Sequence, residues 1–186
     1  MIADKDRSNF FGASDTKYIT GNWKTKTFEK WWREKQGIYR SDFTNDAMQA
    51  GTAYEHKILD SLGIFDLEKD KQIIIGRLRV NLDGNTSRKI YEVKTYNFEK
   101  GFKVSKAYRE QVLVQMYASE IRDACIVAYG LVEEDYRNFY RDIDKSRLSF
   151  HEIEYDEAFI AKYIVRLQYL SKCLDEGIFP DERMVA

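Results

Sequence analysis

Between Arg77 and Tyr96 the sequence RLRVNLDGNTSRKIYEVKTY sets two carboxylates and an amine, Asp83, Glu92 and Lys94, among apolar β-formers. Its alternation predicts two strands, the first with Leu78, Val80 and Leu82 on one face and Arg77, Arg79, Asn81 and Asp83 on the other. In the second, Glu92 and Lys94 share a face while Tyr91, Val93 and Thr95 project oppositely. Asp83-Gly84-Asn85 reads as turn chemistry, so a hairpin would set Asp83 beside Glu92 on a solvated or cation-facing surface. Such a set makes a poor core and suits a hard cation, which prefers oxygen ligands. A cross-strand ion pair contributing roughly 0.2–1 kcal/mol is the plainer explanation of the same residues.

Other elements would have to carry further groups to this hairpin. Asn45 caps a predicted helix over 46–62, ended by Gly63. Its apolar stripe runs Met48, Leu59 and Leu62 with Ile58 beside it, and Glu55 falls within that stripe. An inward-facing carboxylate requires a positive partner, either a cation shared with Asp83 and Glu92 or an internal lysine or arginine. His56 lies about 100° further round the helix and is expected at the surface or behind the ligands. Ser105 caps a second predicted helix, from Lys106 to about Ile121, in which Tyr108, Gln111 and Gln115 share a face. Glutamines on so apolar a helix need specific hydrogen bonds.

The remaining chain supplies a scaffold. Ser14 is read as the cap of a short helix reaching Ile19, with a plain cap favoured over an anion site. Residues 27–36 predict a helix with Phe28, Trp31, Trp32 and Lys35 at helical spacing, the tryptophans serving as packing. Residues 71–75 predict a strand, and 124–132 a strand covered on both faces. Residues 133–147 are left as a hairpin or an exposed excursion. An edge-like strand over 148–155 follows, and Asp156 caps a final helix ended by Gly177 and Pro180.

At 186 residues, with 44% hydrophobic and 15% aromatic content and one proline, the chain fits a folded domain rather than a disordered one. No apolar run reaches the ~20 residues of a membrane span, and the polar N-terminus lacks a signal-peptide core, so a cytoplasmic protein is expected. Cys125 and Cys173 are read as buried small hydrophobes, and two cysteines cannot supply the four thiolates of an iron–sulfur cluster. A net charge of −1 gives no bulk attraction to nucleic acid. Locally, Arg77, Arg79, Arg88, Lys89, Lys100, Lys103, Lys106 and Arg109 form a basic stretch able to neutralise phosphates, with a solvated mixed-charge surface as the alternative.

Taken in order, Glu55 in GTAYE, Asp83 in NLDG, Glu92 and Lys94 in YEVK, and Tyr108, Gln111 and Gln115 in YREQVLVQMY resemble the PD-(D/E)xK nuclease superfamily. Within it they resemble the phage-type exonucleases of the lambda exonuclease and YqaJ viral recombinase group, to which Arg7 ahead of GASD adds a further match. The resemblance implies an α/β, restriction-endonuclease-like core, a central mixed β-sheet flanked by helices on both faces. It implies one nuclease domain over 1–186, within which the sequence itself reads as an irregular N-terminal arm over 1–13 and a loose tail over 178–186. Mg²⁺, or alternatively Mn²⁺, would be held by Glu55, Asp83, Glu92 and the main-chain carbonyl of Val93. Lys94 would orient or activate water, and Gln111 would hold the substrate backbone or a water. Tyr108 and Gln115 would contact substrate, and Arg7 and Ser14 would hold a 5′-phosphate. The implied reaction is 5′ to 3′ hydrolysis of duplex DNA in recombination, by a phage or prophage protein in a bacterial host. A single-strand annealing partner and a toroidal homotrimer come with the resemblance. Two alternatives stay open: a single-strand or structure-specific endonuclease of the same superfamily, and a non-catalytic DNA- or partner-binding module.

Overall fold

The structure, a computed structural model, describes residues 8–38 and 45–185. Its centre is a five-stranded sheet in the order β1 (Glu68–Ile75), β2 (Leu78–Asn85), β3 (Lys89–Asn97), β4 (Asp123–Leu131), β5 (Leu148–Ile153). The β3–β4 pair is parallel and the others antiparallel. A parallel neighbour requires a crossover, and helix α4 (Lys106–Ser119) supplies it between β3 and β4.

Helices cover both faces. On one lie α1 (Thr16–Ile19), α2 (Lys26–Lys35), α4 and α6 (Glu157–Glu176), packed with Leu78, Val80, Leu82 and Ile126. On the other lie α3 (Asp46–Ser61) and α5 (Glu133–Arg137), where Ala50, Tyr54, Ile58 and Leu59 meet Val93, Val127 and Tyr129. Trp31 and Trp32 are buried, as their spacing predicts. The expected caps form: Asn45 accepts from the Met48 N–H, Ser105 from Tyr108 and Asp156 from Phe159. Each satisfies a helix-end donor that would otherwise lack a partner.

Four expectations need correction. The hairpin turn is Thr86–Arg88 rather than Asp83–Asn85, closed by Thr86 N–H to Lys89 O at 2.8 Å and by the Thr86 hydroxyl accepting from Arg88 and Lys89. Gly84 is a strand residue whose missing side chain makes room for α3, since a Cβ there would stand 2.8 Å from Leu59 Cδ2. The stripe of α3 is built on Tyr54 and Ala50, and Met48 is exposed. Residues 178–185 pack back on the body, with Phe179 edge-on to Phe28 and Glu182 accepting from Arg166 at 2.9 Å. Near the N-terminus, Phe11 is buried and bridges β2, donating to Arg77 O and accepting from the Arg79 N–H, both at 2.8 Å.

Candidate metal centre and adjoining cavity

The geometry of the site follows from a fork in the sheet. β2 and β3 pair at Gly84↔Tyr91 and Asn85↔Ile90 and then part. Asp83 is the first residue beyond the last pair, and across the gap its Oδ2 accepts from the Val93 N–H at 2.8 Å. The edge that β2 loses to the fork is taken by Phe11. A strand residue directs its N–H and C=O to the same side, so the Val93 carbonyl faces the gap that Asp83 spans.

The face of β3 bearing Glu92 and Lys94 meets α4, as the alternation predicts. Glu92 Oε1 accepts from Lys94 Nζ at 2.6 Å and from Gln111 Nε2 at 2.5 Å, and Oε2 accepts from Gln115 Nε2 at 2.5 Å. Gln111 Oε1 accepts in turn from Lys94 Nζ at 3.3 Å, and the ammonium stands 5.1 Å from the centroid of the Tyr108 ring. The turn-spaced trio on α4 therefore holds both charged residues. Two placements differ from expectation. Glu92 is only 1% exposed, a buried carboxylate rather than a solvated one. Gln115, expected to contact substrate, is also 1% exposed and shares its amide donor between Glu92 and Asn81 O at 3.1 Å. It spans the fork and positions Glu92.

Glu55 is half-buried on the α3 side and makes no hydrogen bond or ion pair among the described residues. Burial, then Glu92, pushes its carboxyl above the usual range. Burial, then Glu92 and Glu55, pushes Asp83 well above it. Burial works to lower the Lys94 ammonium, but Glu92 and Asp83 outweigh it and hold the group above its ordinary value. The three carboxylates thus repel one another, with Lys94 the ammonium between them. Among the described residues, a tighter set of possible ligand atoms, all within 4.8 Å of one another, is Glu55, His56 and Asp70. There His56 Nε2 lies 2.9 Å from Asp70 Oδ2, so His56 stands beside Glu55 rather than at a bare surface.

By chemical type the donors suit a hard divalent cation, although among the described residues Glu55, Asp83 and Glu92 do not bring one ligand atom each within 4.8 Å of one another. A carboxylate offers about four lone-pair positions. Glu55 uses none, Asp83 one and Glu92 three, so each retains capacity. Together with the Val93 carbonyl they form an all-oxygen set, the type that Mg²⁺ takes.

Next to these groups is a cavity of about 150 Å³ whose walls include Ser14, Lys35, Arg79, Asn81, Asp83 and Gln111. Ser14 is exposed inside a 3-10 turn, Ala13–Asp15, and is not its cap. Gly12 is the cap, and its N–H donates to Asp15 Oδ2 at 2.8 Å. Asp15 also takes the buried Lys35 ammonium at 2.7 Å and the Trp31 indole N–H at 3.0 Å. Arg79 lays its guanidinium 5.1 Å from the Phe10 ring centroid. Arg7 lies outside the described residues. Arg79 was legible as a cavity residue through its alternation with Asn81 and Asp83. Lys35 was legible through its helical spacing with Phe28 and Trp32, since a lysine on a buried face requires an acid.

No protein-family model matches the chain, and no curated protein matches its sequence. Solved structures do. An alkaline exonuclease (LHK-Exo) from Laribacter hongkongensis superposes with a TM-score of 0.72 at 19% identity, over 92% of this chain and 90% of that one. LHK-Exo in complex with dAMP gives 0.70 at 19% identity, over 91% and 89%. A phage related exonuclease from Haemophilus somnus 129PT gives 0.62 at 18%, over 90% and 94%. At such identities the likeness is one of fold. The chain has a restriction-endonuclease-like α/β fold, which it shares with these exonucleases.

Proposed function

We propose that this protein is a divalent-metal-dependent deoxyribonuclease that hydrolyses DNA from duplex ends in the 5′ to 3′ direction, with Mg²⁺ as its metal. The observation that carries the reading is the fork, with Asp83 anchored on the Val93 N–H, Glu92 and Lys94 locked by α4, and Glu55 facing them without a partner. The fold shared with exonucleases, one of them solved with dAMP, supports DNA as the substrate.

Glu55, Asp83, Glu92 and the Val93 carbonyl would hold the ion. When bound, a divalent cation neutralises charge developing on the phosphate and makes water a stronger nucleophile. Lys94, held protonated by Glu92 and Asp83, donates to the phosphate or to the attacking water and is a poor base. Gln111 fixes that ammonium by accepting from it while donating to Glu92. In the cavity, the Ser14 hydroxyl and the Arg79 guanidinium offer a donor and a positive charge to a terminal 5′-phosphate, and Arg7, outside the described residues, would add a further cation. An annealing protein that takes the remaining 3′ strand, and a homotrimer, belong to the same proposal.

Digestion of a linear 5′-phosphorylated duplex, its 5′-hydroxyl counterpart, a closed circular duplex and a single-stranded circle, each with Mg²⁺, tests it. The phosphorylated linear duplex should disappear fastest and both circles should survive. Cutting of a circle would make the protein an endonuclease, and no cutting at all a binding module. Equal rates on the two linear duplexes would sink the phosphate assignment of Ser14 and Arg7.

A further inference from the structure

The loop between β3 and α4 carries lysines that the site does not use. Lys100 and Lys103 are exposed and have no acidic partner among the described residues. Lys106, at 85% side-chain exposure, approaches Glu110 no closer than 3.6 Å. One acid, Glu99, stands exposed in the same loop.

The loop is anchored along its length. The Asn97 side chain accepts from the Glu99 N–H at 3.0 Å, and Ser105 accepts from Tyr108 at 3.2 Å. Phe98 packs on Gly130 so closely that a Cβ there would meet its ring at 2.3 Å. Phe102 sits among Tyr96, Tyr108 and His151, with centroids 5.2, 6.1 and 5.0 Å away. This aromatic pillar ends at the reactive groups, because the Tyr108 ring also carries the Lys94 ammonium at 5.1 Å. The cavity has Gln111 in its wall, and Tyr108 lies one turn earlier on α4, outside the cavity lining.

We infer that Lys100, Lys103 and Lys106 form a fixed rail that binds the phosphate backbone of the DNA next to the nucleotide being cut, while the cavity takes its end. The inference rests on the proposed nuclease reading. Exposed cations on an anchored loop beside the Lys94 site, of which Lys106 is ion-paired with Glu110 at 3.6 Å, suit the negative charge of a phosphate backbone. A support ordered in advance also spares the ordering cost of binding. The aromatic rings are occupied with one another and with Lys94, so the rail grips backbone and reads no base.

The test is the salt dependence of duplex binding, measured without metal by fluorescence anisotropy, for the wild type, for the triple variant Lys100→Gln, Lys103→Gln, Lys106→Gln, and for Lys172→Gln on α6. Each phosphate contact contributes about 0.9 to the slope of log affinity against log salt, so the triple variant should lose about 2.7 of it. Lys172→Gln should keep the wild-type slope. A triple variant with an unchanged slope, beside a wild type that binds and cuts DNA, overturns the rail alone. A wild type that neither binds nor cuts overturns the nuclease reading, and the rail with it.

Discussion

Glu92 shows how environment changes what a residue can tolerate. On a solvated strand it could be truncated without harm to the fold. Buried, and accepting from Lys94, Gln111 and Gln115, it cannot. Glu92→Gln would turn an amide N–H₂ toward one of these donors and leave buried groups unmatched. It should cost about 1–3 kcal/mol, read as a lower urea midpoint, as well as abolishing cleavage. Lys94→Met should abolish cleavage and also lower the urea midpoint, because it leaves the buried Glu92 carboxylate without its cation. A Glu92→Gln variant as stable as the wild type would contradict the bonding described for it. The identities of these residues were legible because alternation fixes which strand residues share a face. Their burial was not, because it depends on how closely α4 approaches.

Among the elements, the capped helices were the most legible, since Asn45, Ser105 and Asp156 each satisfy a local donor that the sequence alone reveals. Gly84 was not, because glycine serves a turn and a close approach equally well, and only the position of Leu59 separates the two. The fork was also hidden, since alternation gives the face of a strand residue and not where a ladder ends. Residues 133–147 were undecided for a further reason, that their charges are partly buried. Asp135 is 0% exposed, ion-paired with Arg147 and bonded to the Val132 N–H at 3.0 Å, while Arg147 donates to Gly130 O at 2.9 Å and to the Tyr129 hydroxyl. Tyr54, next to Glu55 on α3, reaches Asn138 O at 2.9 Å and Asp135 at 3.4 Å. Asp135→Ala would take the nearer acid from the buried Arg147 guanidinium, leaving the exposed Asp144 at 3.5 Å, and should cost about 3–5 kcal/mol, again read in urea. Burial works to raise the Asp135 carboxyl, but Arg147 and the Val132 N–H outweigh it, and its pKa is lowered. A depressed carboxyl contributes its full stability above the unfolded value of about 4 and loses it as pH falls through the folded value. The stability gap between the wild type and Asp135→Ala should therefore be constant at neutral pH and narrow in acid.

Over the whole molecule, charge is arranged rather than accumulated. A net charge of −1 hides a carboxylate-rich gap, a cavity with Arg79 and Lys35 in its wall, and a group of exposed lysines, Lys100, Lys103 and Lys106, ahead of Tyr108. Among the described residues no helix is long and apolar enough to cross a membrane. The same divided strands that open the gap admit Phe11, so the segment carrying Ser14 is drawn toward the carboxylates by sheet geometry. The central claim is that these carboxylates hold a metal that cuts DNA, and Asp83 tests it with least ambiguity because it neither binds Lys94 directly nor sits among the α4 donors. The measurement is the rate of linear duplex cleavage against Mg²⁺ concentration for the wild type and Asp83→Asn. Cleavage should require Mg²⁺, saturate with it, and fall at least about 100-fold in the variant, on the order expected for losing one strong transition-state contact. Cleavage that persists in a chelator, or an Asp83→Asn variant with the wild-type metal response, would contradict it.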